Sequence, residues 1–227
     1  MNEHFDLVIF DCDGVLVDSE VLAVEVDKRI LADFGWHLTT DEIIEKFMGK
    51  SSATFAAHLE EHLGYQLPPN WEAKYTPWFF EAFESQLRAV DGIEAALDEI
   101  SVPTCVASSG NHEKLRKTLG LTQLYPRFEG RIFSATEVIN GRPAPDLFLH
   151  AASRMGVPPS RCVVVEDSKY GVRAAHAAGM HAFGYAGGLT PHRWLEDEGA
   201  TVFTSMTDLP QLLRSHISAT RTTAAPA

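Results

Sequence analysis

The sequence has few basic residues and few cysteines, and it has no long hydrophobic run. Its 227 residues include 19 Lys and Arg against 31 Asp and Glu, which gives a formal net charge of −12. This balance argues against nucleic acid and anionic membrane surfaces as main partners. No apolar run approaches the roughly 20 residues that cross a bilayer, and the acidic N-terminus does not have the pattern of a signal peptide.

The three cysteines, Cys12, Cys105 and Cys162, each lie in or beside an apolar, strand-like run. An odd count without close pairs is typical of a reducing compartment, so we expect buried thiols in a cytoplasmic protein. The hydrophobic content of 45% is ample for one large domain, or for one domain with an insert. We expect a monomer or a weak homodimer.

Strand-like and helical segments alternate along most of the chain. Six apolar runs have the length and composition of buried strands, at residues 7–10, 104–107, 131–134, 163–165, 181–185 and 201–203. Because helical patterns separate these runs from residue 91 onward, the sequence predicts an α/β fold with a Rossmann-like parallel sheet and helices on both faces. An all-helical insert is expected after the first strand. The expected division is a core of residues 1–18 and 89–217, an insert of residues 19–88 and a disordered tail of residues 218–227.

The first of these strands ends in two carboxylates. Asp11 and Asp13 are two residues apart, so at strand spacing their side chains point the same way. Two like charges this close repel each other unless a cation or a shared proton intervenes. Open α/β sheets place their ligands at the carboxyl ends of strands. A turn that uses Asp and Gly explains one carboxylate but not the second, so we favour a functional site.

Three further segments place polar residues where predicted strands end or helices begin. Residues 108–111, Ser-Ser-Gly-Asn, offer a hydroxyl and N–H groups to an anion, or form an ordinary helix cap. Arg142 lies in a stiff Pro-rich approach, where it suits a phosphate or carboxylate or is simply exposed. Glu166 and Asp167 again follow an apolar run. Carboxylates that converge at one sheet edge require a cation, and oxygen-only ligands favour Mg²⁺.

In this order, the four segments resemble the motifs of the haloacid dehalogenase superfamily, in particular its phosphatases with a small helical cap. The motifs are Asp-Cys-Asp-Gly-Val at residues 11–15, Ser108, Arg142 with the Pro-Ala-Pro-Asp that follows it, and Glu-Asp-Ser at residues 166–168. The similarity runs from Leu7 to about Tyr185, and the helical insert falls where that family carries its cap. Sugar-phosphate phosphatases and β-phosphoglucomutase are the most similar branches.

The resemblance implies a phosphoric monoester hydrolase that acts on a small phosphorylated metabolite, such as a sugar phosphate, through an aspartyl-phosphate. It assigns Asp11 as the nucleophile and Asp13 as the general acid and base. The residues implied to bind the phosphoryl group are Ser108, Asn111 and Arg142. The groups implied to hold Mg²⁺ are the carboxylates of Asp11, Asp167 and Glu166 and the backbone carbonyl of Asp13. The cap residues expected to meet the substrate are Glu20, Lys50, Ser51 and Ser52, although a helix start or helix break explains them equally well.

Two other functions remain open at this point. A phosphomutase of the β-phosphoglucomutase type shares the motifs, but its basic and histidine cap residues have no match here, and position 23 is Ala. A non-catalytic phospho-ligand binder or regulatory protein is the second, because Arg142 stands where the family has lysine. Arginine keeps the positive charge but is larger and planar.

Overall fold

A parallel sheet of six strands forms the centre of the computed structural model, which describes residues 5–48 and 52–219. The strands are β1 (Leu7–Phe10), β2 (Thr104–Ser108), β3 (Ile132–Ser134), β4 (Cys162–Glu166), β5 (His181–Tyr185) and β6 (Thr201–Phe203). Their order across the sheet is β3-β2-β1-β4-β5-β6. The predicted parallel α/β fold is therefore confirmed. Strands β2 and β4 run one residue further than predicted, so Ser108 and Glu166 are the last residues of their strands.

Helices flank the sheet and form the insert after β1. They are α1 (Ser19–Asp33), α2 (Thr40–Phe47), α3 (Ser52–Leu63), α4 (Thr76–Gln86), α5 (Ile93–Glu99), α6 (His112–Leu121), α7 (Tyr125–Phe128), α8 (Asp146–Met155), α9 (Lys169–Ala177), α10 (His192–Glu196) and α11 (Leu209–Ala219). Helix α11 ends two residues beyond position 217, and the rest of the expected tail lies outside the described residues. Within the described ranges, every helix is too short or too polar to cross a membrane.

The strands are apolar on both sides because both faces of the sheet are covered. All of β1 is buried, and its side chains alternate between two cores. Val8 and Phe10 join one core, whereas Leu7 and Ile9 join the other. The three cysteines are buried and free, as predicted.

The insert has a hydrophobic core of its own, formed by α1–α4 and rich in aromatic side chains. Tyr75 is buried there, and Trp71 and Phe79 pack against the buried residues. The two connections to the sheet run side by side, since the Asp18 N–H donates to the Arg88 carbonyl over 2.9 Å. This arrangement supports the proposed insert of residues 19–88.

The direction in which the chain adds strands to the sheet reverses at β1. The chain continues from β1 to β2 on one side, and the later strand β4 pairs with β1 on the other. Loops that leave neighbouring strands toward opposite sides open a crevice at their carboxyl ends, and ligands bind in such crevices. The ends of β1, β2 and β4 carry Asp11, Ser108 and Glu166, so the fold brings together segments that lie far apart in the sequence.

Candidate active site

Asp11 is the first residue after β1, and its carboxylate is buried at the crevice. Its backbone N–H donates to the Val165 carbonyl over 3.0 Å, which continues the pairing with β4 beyond the strand. Arg142 donates to both carboxylate oxygens of Asp11, with Nη1 2.8 Å from Oδ2 and Nη2 3.0 Å from Oδ1. Such a two-point contact fixes the plane of the carboxylate as well as balancing its charge.

Arg142 is itself buried, with its side chain 8% exposed. Its Nη1 also contacts Glu166, and its Nη2 donates to the Ala107 carbonyl over 2.8 Å. Burial opposes the charge of this guanidinium, but Asp11 and Glu166 outweigh that effect and raise its pKa. The Arg142 Nε atom is buried without a hydrogen-bond partner among the described residues. The arginine is therefore a component of the site and not an exposed loop residue.

Asp13 is held at both carboxylate oxygens. Ser19 Oγ donates to Oδ1 over 2.6 Å, and Lys114 Nζ donates to Oδ2 over 2.7 Å. Directly after Asp13, Gly14 adopts a φ of +73°, and a β-carbon at this position would lie 2.0 Å from Asp167 Oδ2. The glycine is required there because both the turn and the close approach of Asp167 exclude a side chain.

Asp11, Glu166 and Asp167 offer carboxylate oxygens that lie within 4.8 Å of one another. Burial raises the pKa of Glu166 to about 8, with Arg142 opposing the shift and Asp11 adding to it. Burial also raises the pKa of Asp167, as do the neighbouring charges of Glu20 and Glu166. Glu20 hydrogen-bonds Asp167, and burial raises the pKa of Glu20 to about 7. The cluster is thus crowded with carboxylates that favour protonation or a cation.

The predicted phosphate-binding residues of the β2–α6 loop lie at the same edge. Ser108 is buried, and its Oγ accepts from the Gly110 N–H over 3.2 Å. Asn111 is the N-cap of α6, where its Oδ1 accepts from the Lys114 N–H over 2.8 Å. Ser108 directly follows Ala107, whose carbonyl accepts from Arg142, whereas the side-chain oxygen of Asn111 is used to cap the helix. Their binding of phosphate stays a prediction.

The cap residues divide into those that the structure describes and those that it does not. Glu20 lies on α1 and reaches Asp167, as described above. Lys50 and Ser51 lie outside the described residues, and of Ser52 only the backbone, at the start of α3, is described. At the end of α2, Thr190 Oγ1 donates to Met48 Sδ over 3.5 Å, so this part of the cap contacts the loop after β5.

Two groups at the site were missed by sequence reasoning. Lys114 contacts Asp13 although the two lie 101 positions apart in the sequence, so no local sequence pattern predicts the contact. Asp27, on α1, lines a cavity of about 490 Å³ that the cap helices enclose together with Lys114. A helical period would have placed Asp27 on the same face as Ala23, but the direction of that face depends on how the cap meets the sheet.

Comparison with known proteins identifies related chains. A family model described as haloacid dehalogenase-like hydrolase matches residues 8–185. The 6-phosphogluconate phosphatase of Escherichia coli is 31% identical over 214 residues, which cover 93% of this chain and 96% of that protein. A probable pseudouridine-5'-phosphatase of Drosophila melanogaster is 37% identical over 182 residues, which cover 76% of this chain and 78% of that protein.

Solved structures resemble most of the chain. A conserved haloacid dehalogenase-like protein of unknown function from Agrobacterium tumefaciens superimposes with a TM-score of 0.86 and 36% identity, covering 93% of this chain and 98% of that one. A hydrolase of the same family from Deinococcus radiodurans, solved with bound phosphate and sodium, gives a TM-score of 0.82 and 31% identity. That comparison covers 94% of this chain and 97% of the other.

Proposed function

This chain belongs to the haloacid dehalogenase-like hydrolases, and we propose that it is a Mg²⁺-dependent phosphatase that hydrolyses a small sugar phosphate through an aspartyl-phosphate. The class of phosphoric monoester hydrolase rests on the family and on the phosphatases among its relatives. The observation that carries the proposal is the buried Asp11 carboxylate. It is fixed by Arg142, lies two residues from Asp13 and belongs to the acidic cluster.

In the proposed first step, an Asp11 oxygen attacks phosphorus while the bond from phosphorus to the substrate oxygen breaks. Asp13 donates a proton to that leaving oxygen, which departs as an alcohol. In the second step, Asp13 takes a proton from water, the water oxygen bonds to phosphorus, and the Asp11–phosphorus bond breaks. Free Asp11 and inorganic phosphate result. A covalent carboxylate intermediate divides one difficult displacement into two easier ones, and a carboxyl group that accepts and donates the proton serves both.

The contacts of Asp13 support this role. With Ser19 on one oxygen and Lys114 on the other, the carboxyl group has a fixed orientation. A proton donor that is held in place needs no reorganisation when the leaving oxygen arrives. Both partners are donors, so the carboxylate that accepts the proton of water in the second step keeps the same orientation.

Arg142 is proposed to bind the transferring phosphoryl group with Ser108 and Asn111. Its guanidinium has five N–H donors, and the buried Nε–H has no acceptor among the described residues. Phosphoryl transfer depends chiefly on positioning and charge neutralisation. Arginine can provide both, so its presence at a lysine position of the family is compatible with turnover.

The residues at the sheet edge fit a divalent cation. Three buried carboxylates converge there, and the paired carboxylates of Glu20 and Asp167 favour a proton or a positive ion between them. We propose that Asp11, Asp167, Glu166 and the backbone carbonyl of Asp13 hold Mg²⁺, whose oxygen preference they match. When bound, the ion would neutralise charge on the phosphoryl oxygens and lower the repulsion between phosphate and nucleophile.

The direct test is phosphate release from a panel of phosphorylated metabolites, with Mg²⁺ and with excess chelator. The proposal predicts turnover of at least one sugar phosphate that stops when Mg²⁺ is removed and returns when it is restored. Binding without turnover across the panel would instead support the phospho-ligand binder. Turnover that stalls after a burst and resumes with a sugar bisphosphate would support the phosphomutase.

A further inference from the structure

The cavity in the cap lies next to the proposed general acid. It has a volume of about 490 Å³, within the range of small-molecule sites. Lys114 connects the two places, because it lines the cavity and its Nζ binds Asp13. A leaving group bonded to the oxygen that Asp13 protonates would therefore extend into this cavity. Aromatic side chains form much of its wall, from Phe47, Phe55, Trp71, Tyr75 and Phe79.

The cavity contains one charge that the protein leaves unbalanced. Asp27 is partly buried on α1 and has no hydrogen bond or ion pair to any described residue. Burial raises its pKa to about 7, with no neighbouring cation to oppose the shift. Lys114 already pairs with Asp13, and Glu72, the other acidic residue of the wall, is exposed to water. A partly buried charge without a partner costs free energy, so a hydrogen-bond donor that enters the cavity would stabilise the ionised form of Asp27.

We propose that this cavity selects uncharged leaving groups that carry hydroxyl groups, and that Asp27 excludes leaving groups that carry a carboxylate. The inference rests on the proposed phosphatase function and specifies its substrate class as the phosphate esters of neutral polyols and sugars. Asp27 and Lys114 are its specificity-determining residues.

The chemistry of the two side chains leads to this class. A hydroxyl group donates a hydrogen bond to the Asp27 carboxylate, and another hydroxyl accepts one from Lys114. Above the pKa of Asp27, a carboxylate on the leaving group finds no hydrogen-bond donor on that side chain. It also brings a second negative charge into a partly buried space, where repulsion is stronger than in water. The aromatic walls pack against the C–H faces of a carbon chain without requiring a charge.

The test compares two phosphate esters that differ in one group. Sorbitol 6-phosphate and 6-phosphogluconate have the same chain length and phosphate position, but carbon 1 is a hydroxymethyl group in the first and a carboxylate in the second. Binding is measured by calorimetry with Mg²⁺ at a pH of about 8, above the pKa of Asp27. The protein is Asp11→Asn, which is expected to bind substrate without turning it over. We expect sorbitol 6-phosphate to bind roughly tenfold tighter or more.

The variants of Asp27 identify the cause of the preference. In the Asp11→Asn background, Asp27→Asn removes the charge and should reduce the preference at least roughly fivefold, whereas Asp27→Glu should keep it. Glu25→Gln is the matched control, because it removes a carboxylate from the exposed side of the same helix. If Asp27→Asn does not fold, Asp27→Ser provides the same comparison.

The inference is overturned if 6-phosphogluconate binds as tightly as sorbitol 6-phosphate, if neither binds, or if Asp27→Asn leaves the ratio unchanged. The phosphatase proposal is tested separately with the wild-type protein and p-nitrophenyl phosphate, whose leaving group has neither hydroxyl nor carboxylate. Hydrolysis of that ester without the binding preference would refute only the inference. The preference without hydrolysis of any ester would refute only the proposed function.

Discussion

The edge of the sheet and the cavity of the cap differ in whether their aspartates are paired with cationic side chains. At the sheet edge, Asp11 and Asp13 are each held by a cationic side chain, at 2.8 Å from Arg142 and 2.7 Å from Lys114. In the cap, Asp27 lies among aromatic side chains and no described residue balances it. In the proposed function, the sheet edge binds the charge that is always present in the substrate, namely the phosphoryl group. In the proposed specificity, the cap distinguishes what is attached to that group.

Mutations in the two regions are therefore expected to have different effects. Removal of a group at the sheet edge should affect every phosphate ester alike, because all share the phosphoryl group. Removal of a group in the cap should change the ranking of esters and the stability of the cap. The following predictions address these differences, beginning with the largest expected effect.

Asp11→Asn should lower kcat by roughly a thousandfold or more for all esters, because the amide oxygen is a poor nucleophile. Asparagine has nearly the same shape, so the fold should remain. Steady-state assays on two unrelated esters, with circular dichroism as the control for folding, measure both. Retention of activity on either ester would show that Asp11 is not the nucleophile. It would also contradict the proposed division of roles between the sheet edge and the cap.

Arg142→Ala should lower kcat/KM by roughly a hundredfold, because a donor to the transferring phosphoryl group is lost. It should also destabilise the protein by about 3 kcal/mol, because Asp11 and Glu166 lose their buried partner. Arg142→Lys keeps a positive charge and should retain more of both. Urea denaturation and turnover of the three proteins check the prediction. Equal activity of the alanine variant and the wild type would show that Arg142 does not serve the phosphoryl group.

Lys114→Met should lower kcat by roughly ten- to a hundredfold, because Asp13 loses the donor to one oxygen and its fixed orientation. Lys117→Met is the matched control, since Lys117 lies one turn further on α6 and pairs with the exposed Glu84. Turnover of the two variants on the same ester is the measurement. Equal loss in both variants would indicate a general effect of charge on α6 and not a specific contact with Asp13.

Asp27→Asn should stabilise the protein, and more so at high pH. Because burial raises the pKa of Asp27 to about 7, the folded state retains a proton that the unfolded state loses at lower pH. Stability therefore falls as the pH rises from about 4 to about 7. The gain from Asp27→Asn should be about 1–2 kcal/mol larger at pH 8 than at pH 5. Urea denaturation at both pH values tests this, and a gain independent of pH would contradict the assignment.

The sequence allowed the fold to be predicted because its signals are local. Apolar runs such as residues 7–10 specify strands by composition, and the helices between them require parallel neighbours. The acidic ends of β1 and β4 were predictable for the same reason, since an acidic residue that follows an apolar run can be identified from the sequence alone. The order of the strands then placed Asp11 beside Glu166 and Asp167.

The contacts between distant elements were not predictable. Lys114 reads as an ordinary residue in the first turns of a capped helix, and only the packing of α6 against the loop after β1 brings it to Asp13. Arg142 had two equal interpretations in its loop until burial decided between them. No sequence pattern singles out Asp27 on α1, because whether a helix face meets water or a cavity depends on the tertiary arrangement of the cap.

The most direct test of the proposed chemistry at the sheet edge is chemical trapping of the intermediate. The enzyme is mixed with substrate and Mg²⁺, quenched within a single turnover and treated with borohydride, which reduces an acyl phosphate to an alcohol. Peptide mass spectrometry then locates the modified residue. The mechanism predicts that Asp11 is recovered as homoserine and that Asp13 is unchanged. Phosphate release with unmodified Asp11, or modification of a different carboxylate, would contradict it.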